Sequence, residues 1–98
     1  MRKIARVDET QKEIVQSLRR VGAFVEDIHT LGKGAPDILT FFRGAWIPIE
    51  IKKSNKEKLT PDEVAWWRRA GIFPIIAWDQ SSAFKAIGLE AHSVLGIH

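Results

Sequence analysis

The chain has 98 residues, a formal net charge of +3 and 45 % hydrophobic residues, which favours one domain over 1–98, with a core over about 6–88 and a C-terminal tail over 89–98. It has no cysteine, which excludes disulfide bonds and thiolate metal sites and suits a reducing cytoplasm. No apolar segment is long enough to span a bilayer, so we expect no membrane partner, whereas the positive charge fits either a polyanionic partner or ordinary solubility.

The first predicted element is a helix over about 7–21. Apolar residues share one face of this helix, with Gln11 near the centre of that face. A polar side chain there reaches the sheet on which the helix packs, and Asp8, one turn earlier, reaches the same place. The alternative for Gln11 is a buried amide that bonds to backbone groups. The apolar residues of the face are Ile4, Val7, Ile14, Val15 and Leu18.

Three strands are predicted next: a first one at 24–30, where the pattern is weak, and two at 37–43 and 46–53, which are rich in β-branched and aromatic residues. Gly44 and Ala45 separate the second strand from the third. Because glycine at the first central position suits a type II′ turn, these two strands are predicted to form a tight hairpin.

The predicted hairpin brings three polar side chains together. Its turn sets a register in which Asp37 lies opposite Lys52 and Leu39 lies opposite Glu50. Since side chains alternate along a strand, Asp37, Glu50 and Lys52 share one face, with the two carboxylates at a diagonal spacing that a metal ion can bridge. Such groups are costly on a half-covered face unless they pair or bind a metal. The alternative is a salt bridge between Asp37 and Lys52 beside a solvated Glu50.

A second helix is predicted to begin after the basic loop that follows the hairpin. Thr60 is its N-cap, Pro61 suits its first position, and Glu63 completes a capping box. The helix is predicted to end at Gly71. The apolar run 72–78 then predicts a buried fourth strand.

The last predicted element is a short helix that is capped by Ser81 or Ser82 and ends at Gly88. The predicted order of elements is therefore α-β-β-β-α-β-α. This alternation of helices and strands is typical of an α/β domain.

Basic residues supply candidate phosphate contacts, which fix orientation without reading sequence. For each of them the alternative is a solvated surface group. His29 is a further candidate, as a phosphate contact or proton donor, with a structural role as its alternative. The basic candidates are Lys33, Lys53, Lys56, Lys58, Arg68 and Arg69.

Two short motifs carry a resemblance to a known family. Gly-Ala-Pro-Asp at 34–37, followed by Ile-Glu-Ile-Lys at 49–52, resembles the signature of the PD-(D/E)XK nucleases. The chain is more closely similar to the VRR-NUC group, especially its small stand-alone members from phages and prophages. The further similar segments are Arg-Val-Asp at 6–8, Gln11, Leu-Gly-Lys-Gly at 31–34 and Leu-Thr-Pro-Asp-Glu at 59–63.

The resemblance implies a restriction-endonuclease-like fold, with a central mixed four-stranded sheet flanked by helices. It also implies Mg²⁺- or Mn²⁺-dependent hydrolysis of DNA phosphodiester bonds. Asp37 and Glu50 would bind the metal together with the carbonyl of Ile51. Lys52 would orient or deprotonate the attacking water and stabilise the charge that develops on the phosphate.

In many relatives an acidic residue on the first helix completes the site. Asp8 is the best candidate for that acid here, ahead of Glu9 and Glu13, and Gln11 would be its neighbour. The resemblance further implies a homodimer that prefers four-way junctions or other branched DNA, encoded by a phage or prophage and acting in the bacterial cytoplasm.

Three other functions stay open on the sequence. The first is a catalytically silent module that binds DNA or junctions on the same fold. The second is a structural or interaction protein whose polar hairpin face is a ladder of ion pairs. The third keeps the nuclease fold but acts on RNA, because no reader of the 2′-hydroxyl can be identified from sequence.

Overall fold

The computed structural model describes the backbone of residues 2–89 and the side chains of residues 9–89. It is an α/β structure with a mixed four-stranded sheet and three α-helices, which confirms the predicted class. No helix in this part of the chain is long and apolar enough to cross a membrane. The elements are α1 (Arg2–Arg20), β1 (Phe24–Asp27), a 3-10 helix (His29–Leu31), β2 (Ile38–Phe42), β3 (Ala45–Ile51), α2 (Pro61–Ala70), β4 (Ile76–Ala77) and α3 (Gln80–Ala86).

The sheet has the strand order β1-β2-β3-β4. The first three strands are antiparallel neighbours, and β4 runs parallel to β3. One face of the sheet packs with α1 and α3 to form the main core, as expected for apolar residues that alternate along each strand. The core includes Ile14, Leu18, Val25, Ile38, Ile49, Ile51, Ala77 and Ala83.

The turn of the β2–β3 hairpin differs from the prediction. Phe42 pairs with Ala45, so the two turn residues are Arg43 and Gly44 rather than Gly44 and Ala45. Both have positive φ, 51° at Arg43 and 85° at Gly44, which is the pattern of a type I′ turn. The Arg43 guanidinium lies 4.8 Å from the centre of the Phe42 ring, a contact that stabilises this less common arginine conformation.

The predicted register was wrong by two residues, but the predicted faces were right. Ile38 pairs with Ile49, so the next position brings Asp37 beside Glu50 instead of Lys52. A shift of two residues preserves the alternation of side chains. Asp37, Glu50 and Lys52 therefore still lie toward the face opposite the main core.

The packing face of α1 is rotated relative to the predicted one. Ile14, Ser17 and Leu18 are buried, whereas Gln11 is only half-buried. Thr10, four residues before Ile14 on the same face, is half-buried as well. The face is therefore centred between Thr10 and Gln11 rather than on Gln11.

The predicted ends of α2 are confirmed. The Thr60 side chain accepts a hydrogen bond from the Glu63 backbone N–H, and the Glu63 side chain accepts one from the Thr60 backbone N–H, which completes a capping box. At the other end Gly71 adopts a left-handed conformation, with φ of 79°.

The segment after α2 differs from the predicted strand over 72–78. Only Ile76–Ala77 pair in β4, and Ile72 and Phe73 are exposed. The N-cap of α3 is Asp79, which accepts a hydrogen bond from the Ser82 backbone. The predicted cap at Ser81 or Ser82 was therefore wrong, because Asp79 reaches the third helical residue as a cap does.

Candidate functional site

Asp37 is anchored to β3 by its side chain. Its Oδ2 atom accepts a hydrogen bond of 2.8 Å from the backbone N–H of Ile51. If β2 began earlier, the Ile51 N–H would bond to a backbone carbonyl of β2; here it bonds to the Asp37 side chain instead. Because the N–H and C=O of one strand residue point to the same side, the Ile51 carbonyl faces the side on which Asp37 lies. The carbonyl predicted as a metal ligand is thus next to the carboxylate predicted with it.

Glu50 and Lys52 are buried beside Asp37. Glu50 is 3 % exposed and Lys52 is 8 % exposed. The Lys52 ammonium lies 2.8 Å from Glu63 Oε1 and 3.8 Å from Glu50 Oε2. The other carboxylate oxygen of Glu50, Oε1, is buried without a hydrogen-bond partner. The site therefore joins three carboxyl groups and one ammonium, with one oxygen left for a further ligand.

The predicted alternative of a simple ion pair does not match this arrangement. It required a salt bridge between Asp37 and Lys52 and a solvated Glu50. Lys52 bonds to Glu63 instead, and Glu50 is buried. A buried carboxyl with an unpartnered oxygen is costly, so its presence needs an explanation other than surface charge.

Burial and the crowding of carboxylates determine the charges of the site. Burial, followed by the charges of Asp37 and Glu63, raises the pKa of Glu50 to about 9. Burial also raises the pKa of Asp37. Burial opposes ionisation of Glu63 as well, but the hydrogen bonds from Lys52 and the Thr60 backbone, together with the charge of Lys52, outweigh it and lower the pKa of Glu63.

Burial likewise opposes the charge on Lys52, but the Glu63 hydrogen bond and the charges of the nearby carboxylates together outweigh it, so the pKa of Lys52 is raised. With a pKa of about 9, Glu50 is a neutral acid at neutral pH. If all three carboxyl groups were ionised and Lys52 charged, the group would carry a net charge of −2. A divalent cation would balance that charge and release the proton from Glu50.

A cavity of about 190 Å³ opens onto these groups. Most of its lining side chains are charged, and it adds Thr10 of α1, and Lys53 and Glu57 of the loop after β3, to the residues already described. Glu57 of that loop is held in place because its Oε1 accepts a hydrogen bond of 2.7 Å from the Lys53 backbone. The lining residues are Thr10, Asp37, Glu50, Ile51, Lys52, Lys53 and Glu57.

The residues present fit a hard divalent cation. Among the described side chains, no set of three Asp, Glu or His residues forms a complete metal-binding group. Mg²⁺ in phosphate-processing sites needs only one or two carboxylates, because it keeps waters and binds substrate phosphate. Asp37, Glu50 and the Ile51 carbonyl supply such a set of oxygen ligands. Glu50 Oε1 accepts no hydrogen bond from the described residues, so it is available to a bound cation.

Two predicted site residues of the first helix have different outcomes. Asp8 lies in α1, but its side chain is outside the described residues. Gln11 is not brought to Asp37, because its Nε2 donates a hydrogen bond of 3.2 Å to Asp27 Oδ2. It lines a separate cavity with Asp27 and His29, whose ring contacts the Asp27 carboxylate. Thr10, and not the predicted Gln11, is the α1 residue that lines the site cavity among the described side chains.

The predicted phosphate contacts are spread over the surface. Lys53 lines the site cavity. The other five are exposed and lie outside the lining of that cavity; they are Lys33, Lys56, Lys58, Arg68 and Arg69.

The structure adds Thr10, Glu57 and Glu63 to the predicted site. The sequence indicated Glu63 only as a capping residue. The capping-box pattern predicted the hydrogen bond between the Glu63 side chain and the Thr60 backbone. The sequence gives no sign that α2 begins beside Lys52. Thr10 was missed because the wheel was centred on Gln11.

Gly34 explains why α2 can begin there. Its φ is +83°, and a Cβ on it would overlap the backbone carbonyl of Asp62 in the first turn of α2. The loop before Asp37 is thus packed directly against the helix that carries Glu63. Glycine is required at this position both for its conformation and for the close approach.

Gly34→Ala is expected to lower the free energy of unfolding by about 2 kcal/mol more than Gly44→Ala does. Gly44 is the matched control, because its φ is +85° and a Cβ there meets nothing within 4 Å. Urea unfolding of the two variants measures the difference. Equal losses would mean that the loop and α2 are not packed as described.

Comparison with known protein families, with curated proteins and with solved structures finds no match for this chain. Its function must therefore be inferred from its own residues.

Proposed function

We propose that this protein is a divalent-metal-dependent nuclease that hydrolyses phosphodiester bonds in DNA. The observation that carries the proposal is the buried Glu50, which lies beside Asp37 and the Lys52 ammonium on one cavity. Carboxylates held close together against a lysine suit the binding of Mg²⁺ or Mn²⁺ and of an anionic substrate.

Asp37, Glu50 and the Ile51 carbonyl would hold the metal. When bound, the metal supplies Lewis acidity, lowering the pKa of its water and polarising the phosphate. Asp37 is pre-oriented for this role, because its Oδ2 is bonded to the Ile51 backbone. Without a metal, the carboxylates repel a phosphate, so activity should depend strictly on the cation.

Lys52 contributes a fixed positive charge within the same cavity. An ammonium is a compact cation with three donors, one of which is directed to Glu63. The remaining donors can orient the attacking water and stabilise the negative charge that develops on the phosphate. Burial strengthens this interaction, because little water competes for the ammonium.

The substrate part of the proposal rests on the resemblance to the VRR-NUC group. That resemblance favours four-way junctions or other branched DNA and a homodimer. Lys53, at the cavity, and the exposed basic residues would contact the phosphates that flank the cleaved bond. A positive net charge of +3 is compatible with such a substrate.

The experiment that tests the proposal is a substrate panel. Purified protein is incubated with linear duplex, single-stranded and four-way-junction DNA and with matched RNA, each with Mg²⁺, Mn²⁺ or EDTA. Cleavage of DNA only with metal, fastest on the junction, is the expected result. Binding without cleavage in every metal would establish the silent module, and cleavage of RNA alone would establish the RNA nuclease.

A further inference from the structure

Glu63 joins the first turn of α2 to the lysine of the site. Its Oε1 atom accepts two hydrogen bonds, one of 2.8 Å from Lys52 Nζ and one of 2.9 Å from the backbone N–H of Thr60. The Glu63 side chain is only 16 % exposed, so water competes weakly for that oxygen. The same carboxylate thus completes the helix cap and holds the Lys52 ammonium.

The position of Glu63 is itself fixed from two sides. Its backbone N–H donates to the Thr60 hydroxyl at 3.2 Å, which closes the capping box. The backbone one residue earlier, at Asp62, is in close contact with Gly34 of the loop that leads to Asp37. A carboxylate held in this way is a rigid anchor for a partner.

Lysine needs such an anchor if it is to act at a defined place. Its long side chain has many rotamers, and holding one of them costs conformational entropy. Glu50 Oε2 is 3.8 Å from Lys52 Nζ, too far for a strong hydrogen bond. The 2.8 Å bond to Glu63 is therefore the short contact that sets the position of the ammonium.

We infer that Glu63 is a positioning residue for the reaction, whose carboxylate fixes the Lys52 ammonium beside Glu50 and couples it to the first turn of α2. This inference rests on the proposed nuclease function. It separates two roles for the same side chain, since a capping residue contributes only to folding, whereas a positioning residue also contributes to the rate at which bound DNA is cleaved.

Glu63→Gln separates the two roles. Glutamine keeps an oxygen that can accept from the Thr60 backbone, so the cap is preserved, but a neutral amide oxygen holds the Lys52 ammonium much less strongly than a carboxylate does. Misplacement of a reacting group by about 1 Å costs up to about 10²-fold in rate. We expect single-turnover cleavage to slow by about 10–100-fold, with the DNA concentration at half-maximal rate changed by less than about threefold.

Asp79→Asn is the matched control. Asp79 is also a carboxylate in a capping box, at the start of α3, and it does not line the site cavity. This variant also removes the charge of a capping carboxylate and keeps its acceptor oxygen, and it is expected to cleave bound DNA at the wild-type rate. Comparable slowing in both variants would mean that loss of charge at a helix start, rather than loss of the lysine anchor, causes the effect.

A double-variant comparison tests whether Glu63 acts through Lys52. Cleavage is measured for the wild type, Glu63→Gln, Lys52→Met and the double variant, with Mn²⁺ and saturating DNA. If Glu63 acts through the lysine, Glu63→Gln has no further effect once Lys52 is removed. The same slowing in both backgrounds would overturn the inference.

A measurement that needs no activity completes the test. The Lys52 ammonium protons are observed by nitrogen-15 NMR, where the bond to Glu63 is expected to slow their exchange with water. The signal should be present in the wild type and absent in Glu63→Gln. Absence of the signal in both proteins would show that Glu63 does not hold Lys52. A signal in a wild type that cleaves no nucleic acid would confirm the contact, but it would reject both the nuclease function and the catalytic role of Glu63.

Discussion

Lys52→Met is expected to slow DNA cleavage by about 10²–10³-fold while leaving divalent-metal binding intact. The reason is that methionine keeps the length of the buried side chain but removes the positive charge and its donors. Asp37 and Glu50, the proposed metal ligands, are unchanged. Single-turnover cleavage and calorimetric titration with Mn²⁺ measure the two effects separately.

Lys85→Met is the control for the loss of one lysine. Lys85 is an exposed residue in α3, outside the lining of the site cavity, and this variant is expected to match the wild type in both measurements. Loss of Mn²⁺ binding in Lys52→Met, or cleavage by it at the wild-type rate, would contradict the role given to Lys52.

The second large effect is a loss of stability with rising pH in the metal-free protein. The pKa of Glu50 is about 9 in the folded state, against an ordinary value of 4.5. Folded protein therefore keeps a proton that the unfolded chain releases above pH 4.5. The stabilisation is complete below that pH and is lost as the pH rises through about 9.

Glu50→Gln should remove much of this pH dependence, because an amide has the shape of the neutral acid and does not ionise. In EDTA at pH 8 we expect this variant to be more stable than the wild type by about 2 kcal/mol or more. The lowered pKa of Glu63 acts at acid pH, and the raised pKa of Lys52 acts above its ordinary value of 10.5, so neither falls in this window. The raised pKa of Asp37 adds a loss of the same sign above its ordinary value of 3.8, and Glu50→Gln does not remove that part.

Urea unfolding between pH 5 and 9 measures the effect, with Glu26→Gln as a control for an exposed glutamate on β1. Adding Mg²⁺ at pH 8 should stabilise the wild type and have much less effect on Glu50→Gln, because the cation replaces the proton on Glu50. A wild type whose stability does not change over this range in EDTA would contradict the burial and crowding of Glu50.

The clustering of Asp37, Glu50 and Lys52 could be predicted from sequence although the hairpin register could not. A single glycine in a two-residue turn can occupy the first position of a type II′ turn or the second of a type I′ turn. The second choice needs positive φ at Arg43, which its residue type does not favour. The face on which each side chain lies was still predicted correctly, because the two registers differ by an even number of residues.

The contribution of the helices to the site depended on packing that sequence does not specify. The buried face of α1 includes Ser17, a small polar residue that a hydrophobic pattern places outside the core. The predicted face was therefore centred on Gln11, and Thr10 was missed. The contact between Glu63 and Lys52 joins residues on different elements, and it depends on how closely α2 approaches Gly34. Local patterns predicted the cap, while the tertiary contact required the structure.

The most direct test of the central claim is single-turnover DNA cleavage by the wild type and Asp37→Asn, with Mn²⁺ and with EDTA. We expect metal-dependent cleavage activity that elutes with the wild-type protein on gel filtration, and a loss of at least about 10²-fold in Asp37→Asn. Glu26→Gln, prepared in the same way, should retain the wild-type rate. Equal cleavage by the wild type and Asp37→Asn, or no cleavage of any DNA by the wild type, would contradict it.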